Sequence, residues 1–138
     1  MPPSSSEREC LRDTFVSQNG WVGAKTTALQ PDASFRRYFR LERAGVSAML
    51  MDAPPMREQI TPFITIAHHL NELGLVAPEI YHHDKNNGFI LMEDFGDNTF
   101  TQLLNAGTNE TNLYRSAVDV LIRLHGNPAA IQINVPPY

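Results

Sequence analysis

Only one cysteine, Cys10, occurs in the sequence, so no disulfide can form within the chain. The sequence also lacks an apolar run near the roughly 20 residues that a membrane-spanning helix requires, and it lacks an apolar signal segment near Met1. These absences disfavour a disulfide-stabilised secreted domain and a membrane protein. We therefore expect a cytoplasmic protein without a membrane partner.

Positive charge is scarce as well. The 11 lysine and arginine residues are outnumbered by 15 aspartate and glutamate residues, which gives a net charge of −4. Because nucleic-acid-binding domains are usually basic, this balance disfavours a broad nucleic-acid surface, and any anion-binding site must be local. Apolar residues make up 42% of the 138 residues, which is enough for one globular domain with a real core.

Basic residues concentrate in one stretch, residues 31–41. It opens with the turn-forming residues 31–34 and continues with aromatic residues that favour a strand. Three arginines, Arg36, Arg37 and Arg40, lie within five residues of one another. Backbone N–H groups in a turn, flanked by guanidinium groups, form an anion site. An ordinary hairpin with solvated arginines fits the same local pattern.

Apolar periodicity and turn residues predict an alternation of helices and strands. The predicted helices run from a Ser6 cap to about residue 18, from a Thr61 cap to Gly74, and over residues 99–105 and 109–125. The predicted strands are residues 21–30, 35–42, 46–51, 79–83 and 89–93. Short hairpin connections favour an antiparallel five-stranded sheet with one packed helix, which is an α+β fold.

This order of elements, with short motifs at its boundaries, resembles the N-terminal lobe of the aminoglycoside phosphotransferase and choline kinase branch of the protein-kinase-like fold. Within that branch the chain is similar to the bacterial N-acetylmuramate/N-acetylglucosamine kinases, a group that acts on cell-wall amino sugars. The motifs are DASFRRYFR at residues 32–40, MDAPP at 51–55, PF at 62–63, GL at 74–75 with Pro78, and LMEDFGD at 91–97.

The resemblance implies a nucleotide-binding lobe with an N-terminal helix over residues 1–93, a hinge over 94–98, and the start of a helical second lobe over 99–138. It implies ATP and Mg²⁺ as cofactors, an amino-sugar hydroxyl as acceptor, and a role in cell-wall recycling. The family's catalytic aspartate and metal ligands have no counterpart before Tyr138. We therefore expect this chain to supply the nucleotide-binding lobe, to contain no catalytic or metal residue, and to be inactive alone.

Residue roles also follow from the resemblance. Residues 32–38, hereafter the predicted phosphate loop, would cover the ATP phosphates, with the Ser34 hydroxyl and nearby amides as donors. The carbonyl of Glu93 and the N–H of Phe95 would pair with adenine, and Met49, Leu50 and Met92 would wall the base, although core packing explains Leu50 equally well. The candidate nucleotide-binding residues are Asp32, Ala33, Ser34, Phe35, Arg36, Arg37, Tyr38, Arg40, Met49, Glu58, Met92, Glu93 and Phe95.

One departure from the family concerns the third strand. Kinases of this fold carry a lysine there that grips phosphates and pairs with a helix glutamate, whereas residues 46–52 contain no lysine. Arg37 or Arg40 would supply the charge, and strand alternation places these two on opposite faces. Glu58 is the candidate acidic partner, either on the following helix or on a turn that leads into it.

Two other functions fit the sequence. A non-catalytic module would bind a nucleotide or a partner, for example through the apolar face of helix 109–125. Nucleic-acid binding would use the arginines and aromatic residues of 35–40, although the negative net charge disfavours it. We expect a nucleotide and a small sugar as partners, and no nucleic acid.

Overall fold

The computed structural model describes residues 3–137 and contains a five-stranded antiparallel sheet with helices. The helices are α1 (Ser5–Gln18), α2 (Thr61–Glu72), α3 (Phe100–Asn105) and α4 (Glu110–His125), with a 3₁₀ turn at Pro128–Ile131. The strands are β1 (Lys25–Ala28), β2 (Arg37–Arg43), β3 (Val46–Asp52), β4 (Ile80–Asp84) and β5 (Phe89–Met92). The predicted order of elements and the α+β class are confirmed.

The sheet has the strand order β1-β2-β3-β5-β4, and every neighbouring pair is antiparallel. In its register Arg40 lies opposite Met49, and Met49 lies opposite Met92. These three residues therefore form a row across the three central strands. The row includes both methionines that the sequence assigns to the wall of the base.

The connection between β2 and β3 fixes this register. It consists of Ala44 and Gly45, whose φ angles are +50° and +78°. A two-residue hairpin turn of type I′ requires positive φ at both positions, because only then does its twist match the flanking strands. Arg43 consequently faces Val46, and this pairing sets the side of the sheet to which each later residue points.

The start of α1 differs from the prediction. Ser4, not Ser6, is the N-cap: its hydroxyl accepts the Glu7 N–H at 3.3 Å, and the Glu7 carboxylate accepts the Ser4 N–H at 2.6 Å. This reciprocal pair is a capping box, and it begins two residues earlier than the Ser6–Glu9 pair that fits the same spacing rule. The hydrogen bond from the Ser4 backbone lowers the pKa of Glu7.

Other boundaries shift by a few residues. The weak strand of residues 21–30 contracts to β1, and the strand expected from residue 35 begins at Arg37, because residues 31–36 form the turn before it. Thr99 and Asn109 act as N-caps of α3 and α4, so each helix begins one residue after the predicted start. Tyr138 lies outside the described residues.

Two apolar clusters flank the sheet. The first, here the α1 face, packs α1 against one side, and the second, here the methionine face, lies on the other side. The α1 face consists of Phe15, Phe39, Leu41, Ala48, Leu50, Phe89 and Leu91. The methionine face consists of Met51, Ala53, Ile60, Ile64, Ile90 and Met92, with Tyr38, Met49, Phe63 and Ile80 packed against it.

The chain forms two compact units. The first contains the sheet, extends to Ile64, and includes Pro78–Asp94; the second comprises Thr65–Ala77 and the described residues from Phe95 onward. Within the second unit, the Arg123 guanidinium donates to the Gly74 carbonyl at 3.0 Å. No helix within residues 3–137 combines the length and apolar character that crossing a membrane demands.

Candidate functional site

The predicted phosphate loop is held by its own short polar side chains. The Asp32 carboxylate accepts the Ser34 N–H at 2.8 Å and the Ser34 hydroxyl at 2.5 Å, and the Ser34 oxygen accepts the Arg36 N–H at 3.1 Å. Such side-chain bonds to nearby backbone form an Asx turn. The hydroxyl bond from Ser34, then the backbone bond, hold the pKa of Asp32 below its usual value. A phosphate at Ser34 would thus compete with this carboxylate for the same donors.

Arg36 leaves this loop and pairs with Glu58. Its Nε donates to the Glu58 carboxylate, and its guanidinium carbon lies 5.5 Å from the centre of the Phe63 ring. The two side chains are 30% and 24% exposed, so the pair is half-buried rather than solvated. Burial alone would lower the pKa of Arg36, but hydrogen bonds with Glu58 and then Tyr38 outweigh it and raise that pKa.

Glu58 does not lie on α2. Its N–H donates to the Pro54 carbonyl at 3.0 Å, which places it in the turn that follows β3 and precedes the helix. Of the two positions that the sequence leaves open, the lead-in turn is therefore the one observed. Its partner is Arg36, and neither Arg37 nor Arg40 contacts it through an ion pair.

Arg37 belongs to the α1 face. It donates to Asp52 at 3.0 Å, and the same carboxylate, which is fully buried, accepts the Arg8 Nε at 2.7 Å. Arg8 also donates to the Asn87 carbonyl at 2.9 Å and lies 4.8 Å from the centre of the Phe89 ring. One buried carboxylate thus links α1, β2 and β3.

Arg40 forms a third, separate ion pair. Its Nε and a terminal nitrogen donate to the two Asp94 carboxylate oxygens at 2.6 and 3.2 Å. The side chains are only 17% and 3% exposed, and the fork geometry is the strong bidentate arrangement of arginine with a carboxylate. This pair fixes β2 to the residue that precedes Phe95.

The sheet brings some of the predicted residues together and separates others. Arg36, Tyr38 and Arg40 lie on the side of Met49 and Met92, whereas Arg37 lies on the other side. The remaining predicted residues do not join this group. Ala33 is exposed, and Phe35 is 59% exposed with the Arg57 guanidinium over its ring. Glu93 is half-buried and donates its N–H to the Glu79 carbonyl, whereas Phe95 is exposed and belongs to the second unit.

Three partners of the arginines were missed by sequence reasoning: Arg8, Asp52 and Asp94. A signal for Asp52 existed, because a carboxylate that ends an apolar strand is buried and must find a cation. No comparable signal marks Arg8, which reaches Asp52 across 44 positions of sequence. Asp94 lies in an acidic segment, and the sequence pattern of that segment predicts a solvated linker rather than a buried ion pair.

A cavity of about 520 Å³ borders the predicted phosphate loop at Phe35. It is lined mostly by apolar groups of the turn after β3, and Arg8 of the α1 face contributes to its wall. Met49 and Met92 do not line it. In the described part of the chain, no three histidine, cysteine or carboxylate side chains are grouped so as to hold a metal ion.

Comparison with known proteins connects this architecture to kinases. The model of the family described as "Phosphotransferase enzyme family" matches residues 25–134. The chain is also similar to curated proteins named N-acetylmuramate/N-acetylglucosamine kinase. Identity is 39% for the Pseudomonas putida protein, 33% for that of Caulobacter vibrioides and 40% for that of Pseudomonas aeruginosa.

These matches cover most of this chain and a minor part of each relative. They include 87%, 90% and 82% of the chain, but 36%, 42% and 34% of the respective relatives. The chain therefore spans between 34% and 42% of the length of these curated relatives.

Proposed function

The chain belongs to the phosphotransferase enzyme family, and we therefore propose that the whole protein transfers a phosphoryl group from ATP to a hydroxyl group of a small molecule. This chain supplies the nucleotide-binding lobe. It is a kinase-like α+β lobe with an antiparallel sheet, in agreement with the family match.

One observation carries the proposal. Residues 31–35 form an exposed turn that ends at the cationic Arg36 and leads into β2. Further along β2, on the same side of the sheet, Arg40 stands in one row with the apolar Met49 and Met92. An apolar surface for a planar base, followed by a turn and a cation, is what an extended nucleotide requires. Phosphoryl transfer depends chiefly on such positioning and on charge stabilisation.

The acceptor that we propose is a hydroxyl of an amino sugar of the N-acetylmuramate or N-acetylglucosamine type. Support comes from the names of the relatives. Cell-wall recycling follows as the proposed setting, with the cytoplasm as the proposed location because the use of ATP and a chain with a single cysteine fit it.

Mg²⁺ is proposed as the second cofactor. When bound, it neutralises the charge of the nucleotide's phosphates. The residues described in this chain do not fit a complete metal site, because they include no cluster of three suitable ligands. We propose that the metal ligands and the catalytic base lie outside this chain, as the family resemblance implies.

The base-binding role of Glu93 and Phe95 remains a prediction. We propose that the backbone carbonyl of Glu93 and the N–H of Phe95 pair with adenine. Asp94 lies between these two residues, and its ion pair with Arg40 holds this segment against β2. Met49 and Met92 would then cover the ring. Met92 is a core residue at 5% exposure, so the half-buried Met49 is the position to test: Met49→Glu would place a charge against the base and weaken binding.

A second candidate function is a non-catalytic binding module. The observation that favours it is the apolar surface of α4, where Val118, Val120, Leu121 and Ile122 are each between 47% and 63% exposed. Nucleic-acid binding is less favoured, because Arg36, Arg37 and Arg40 do not share one side of the sheet and each pairs with a carboxylate.

A transfer assay separates these functions. The intact protein is incubated with Mg²⁺, radiolabelled ATP, and either N-acetylmuramate, N-acetylglucosamine or glucose. We expect label on the two amino sugars and little on glucose. Nucleotide binding without transfer to any sugar would favour the binding module, and absence of both would overturn the proposed function.

A further inference from the structure

We infer that Arg36, oriented by Glu58, is the cation that contacts the nucleotide's phosphates in place of the absent third-strand lysine. Arg37 and Arg40 are then positioning residues that hold the sheet. The inference rests on the proposed function and assigns a role within that site. It departs from the sequence-based expectation, which gave this charge to Arg37 or Arg40.

Arg37 lies on the wrong side of the sheet to contact the phosphates. Met49 and Met92, the proposed wall of the base, lie on the methionine face together with Arg36 and Arg40. Arg37 points to the α1 face, where it shares the buried Asp52 carboxylate with Arg8. A nucleotide extended along one side of a sheet cannot use a cation that is held on the opposite side.

Arg40 cannot take this role because it is bound to Asp94. Both carboxylate oxygens of Asp94 accept from Arg40, and Asp94 is 3% exposed. Withdrawing the guanidinium toward a ligand would leave a buried carboxylate uncompensated, and this is costly. Arg40 is therefore fixed in its present place.

Arg36 has the opposite properties. Its contact to Glu58 uses Nε, and a guanidinium carries five N–H donors, so terminal donors can reach a ligand while the Glu58 bond is kept. The Phe63 ring and Tyr38 fix the plane of the group further. A planar cation that is oriented by one carboxylate and 30% exposed is suited to a phosphate.

The spacing along the chain agrees with this assignment. Arg40 stands in the row of Met49 and Met92, and Arg36 precedes it by four residues. At about 3.3 Å per extended residue, the two backbone positions are about 13 Å apart. A base at the methionine row would therefore extend its phosphates toward Arg36 and the turn that contains Ser34.

The test compares ligands that differ only in phosphate number. Calorimetric affinities of ATP, ADP, AMP and adenosine are measured for the intact protein and for Arg36→Met. Because a hydrogen bond to a charged group contributes about 1.5–3 kcal/mol, we expect ATP affinity to fall about tenfold to a hundredfold. Adenosine affinity should stay within about twofold, since the base does not contact Arg36.

Arg43→Met is the matched control. Arg43 is also a β2 arginine, but it lies at the far end and donates to the Gly20 carbonyl, so all four affinities should be unchanged. Glu58→Gln keeps a hydrogen-bond acceptor and loses the charge. We expect a smaller, about threefold to tenfold, loss for ATP and none for adenosine, because Glu58 acts by orienting Arg36.

Arg36→Lys is the second variant in case Arg36→Met fails to fold. Lysine keeps the positive charge but lacks the forked donors of a guanidinium, so ATP affinity should fall less than in Arg36→Met. The thermal stability of Arg36→Lys, measured without nucleotide or Mg²⁺, should match that of the unaltered protein. Failure of the unaltered protein to bind any of the four ligands would overturn the proposed function. Normal binding by that protein, with equal ATP affinities in the Arg36→Met or Arg36→Lys variant and in Arg43→Met, would overturn the role of Arg36 alone.

Discussion

The two sides of the sheet treat their charges differently. On the α1 face a single carboxylate, Asp52, is completely buried and bound by two arginines, Arg8 and Arg37. On the methionine face, the Arg36–Glu58 pair is about a quarter to a third exposed. The buried cluster cannot rearrange without leaving an unpaired charge, whereas the half-exposed pair can exchange contacts with a ligand.

The apolar residues follow the same division. The α1 face contains phenylalanines in contact, with Phe15 and Phe89 ring centres 5.6 Å apart. The methionine face contains flexible thioether side chains, Met49, Met51 and Met92. One side of the sheet therefore packs aromatic rings against each other, and the other packs flexible thioether side chains.

The largest loss of stability that we expect from a single substitution is at Asp52, on the α1 face. The variant Asp52→Asn leaves Arg8 buried without a counter-charge, and loss of one partner of such a pair costs about 3–5 kcal/mol. The free energy of unfolding is measured by urea denaturation.

Glu58→Gln is the control on the other side. Its pair is half-exposed, so its loss should cost about 1 kcal/mol or less. Equal losses in Asp52→Asn and Glu58→Gln would contradict the difference between the two sides.

A smaller effect is expected at the beginning of α1. Ser4→Ala removes the capping hydroxyl, and such a change costs about 1 kcal/mol. Ser6→Ala is the matched control, since Ser6 lies inside the helix and its hydroxyl meets the Ser4 hydroxyl at 3.2 Å rather than a backbone N–H. Thermal unfolding of both variants checks this. A larger loss of thermal stability in Ser6→Ala than in Ser4→Ala would show that Ser6 is the N-cap, as expected from the sequence.

The smallest effect is a change of pKa in the predicted phosphate loop. The pKa of Asp32 is lowered in the folded protein, so the carboxylate's contribution to stability is present above its unfolded pKa and is lost as pH falls through the folded pKa. Ser34→Ala removes the leading cause of that shift, and an NMR titration should find the pKa of Asp32 nearer its ordinary value.

Asp84 provides an internal reference in the same spectra. Burial raises its pKa, but hydrogen bonds from Asn87 outweigh this and lower it. Because neither residue contacts Ser34, the pKa of Asp84 should not respond to Ser34→Ala. Equal movement of both values would indicate a global change rather than a local hydrogen bond.

Much of the fold could be predicted because its signals are local. Apolar periodicity gave the helices and strands, and Gly45 marked the hairpin that joins β2 to β3. The cap of α1 was wrong by two residues because Ser4, Ser5 and Ser6 are chemically equivalent and only the three-dimensional contact with Glu7 selects one.

The pairing of the arginines could not be predicted. Alternation along β2 separates Arg36 from Arg37, but the face that meets each carboxylate depends on contacts far apart in sequence. Arg40 and Asp94 are 54 positions apart, and Arg36 and Glu58 are 22 apart. A list of motifs names these residues without stating which of them meet.

The methionine row has a chemical consequence. Oxidation of a thioether to a sulfoxide turns a flexible apolar side chain into a polar one, which disrupts apolar packing. Met51 and Met92 are shielded at 0% and 5% exposure, whereas Met49 is only half-buried. Among these three methionines, oxidation would therefore reach Met49 first, and it would make the surface proposed for the base hydrophilic while Met51 and Met92 were still protected.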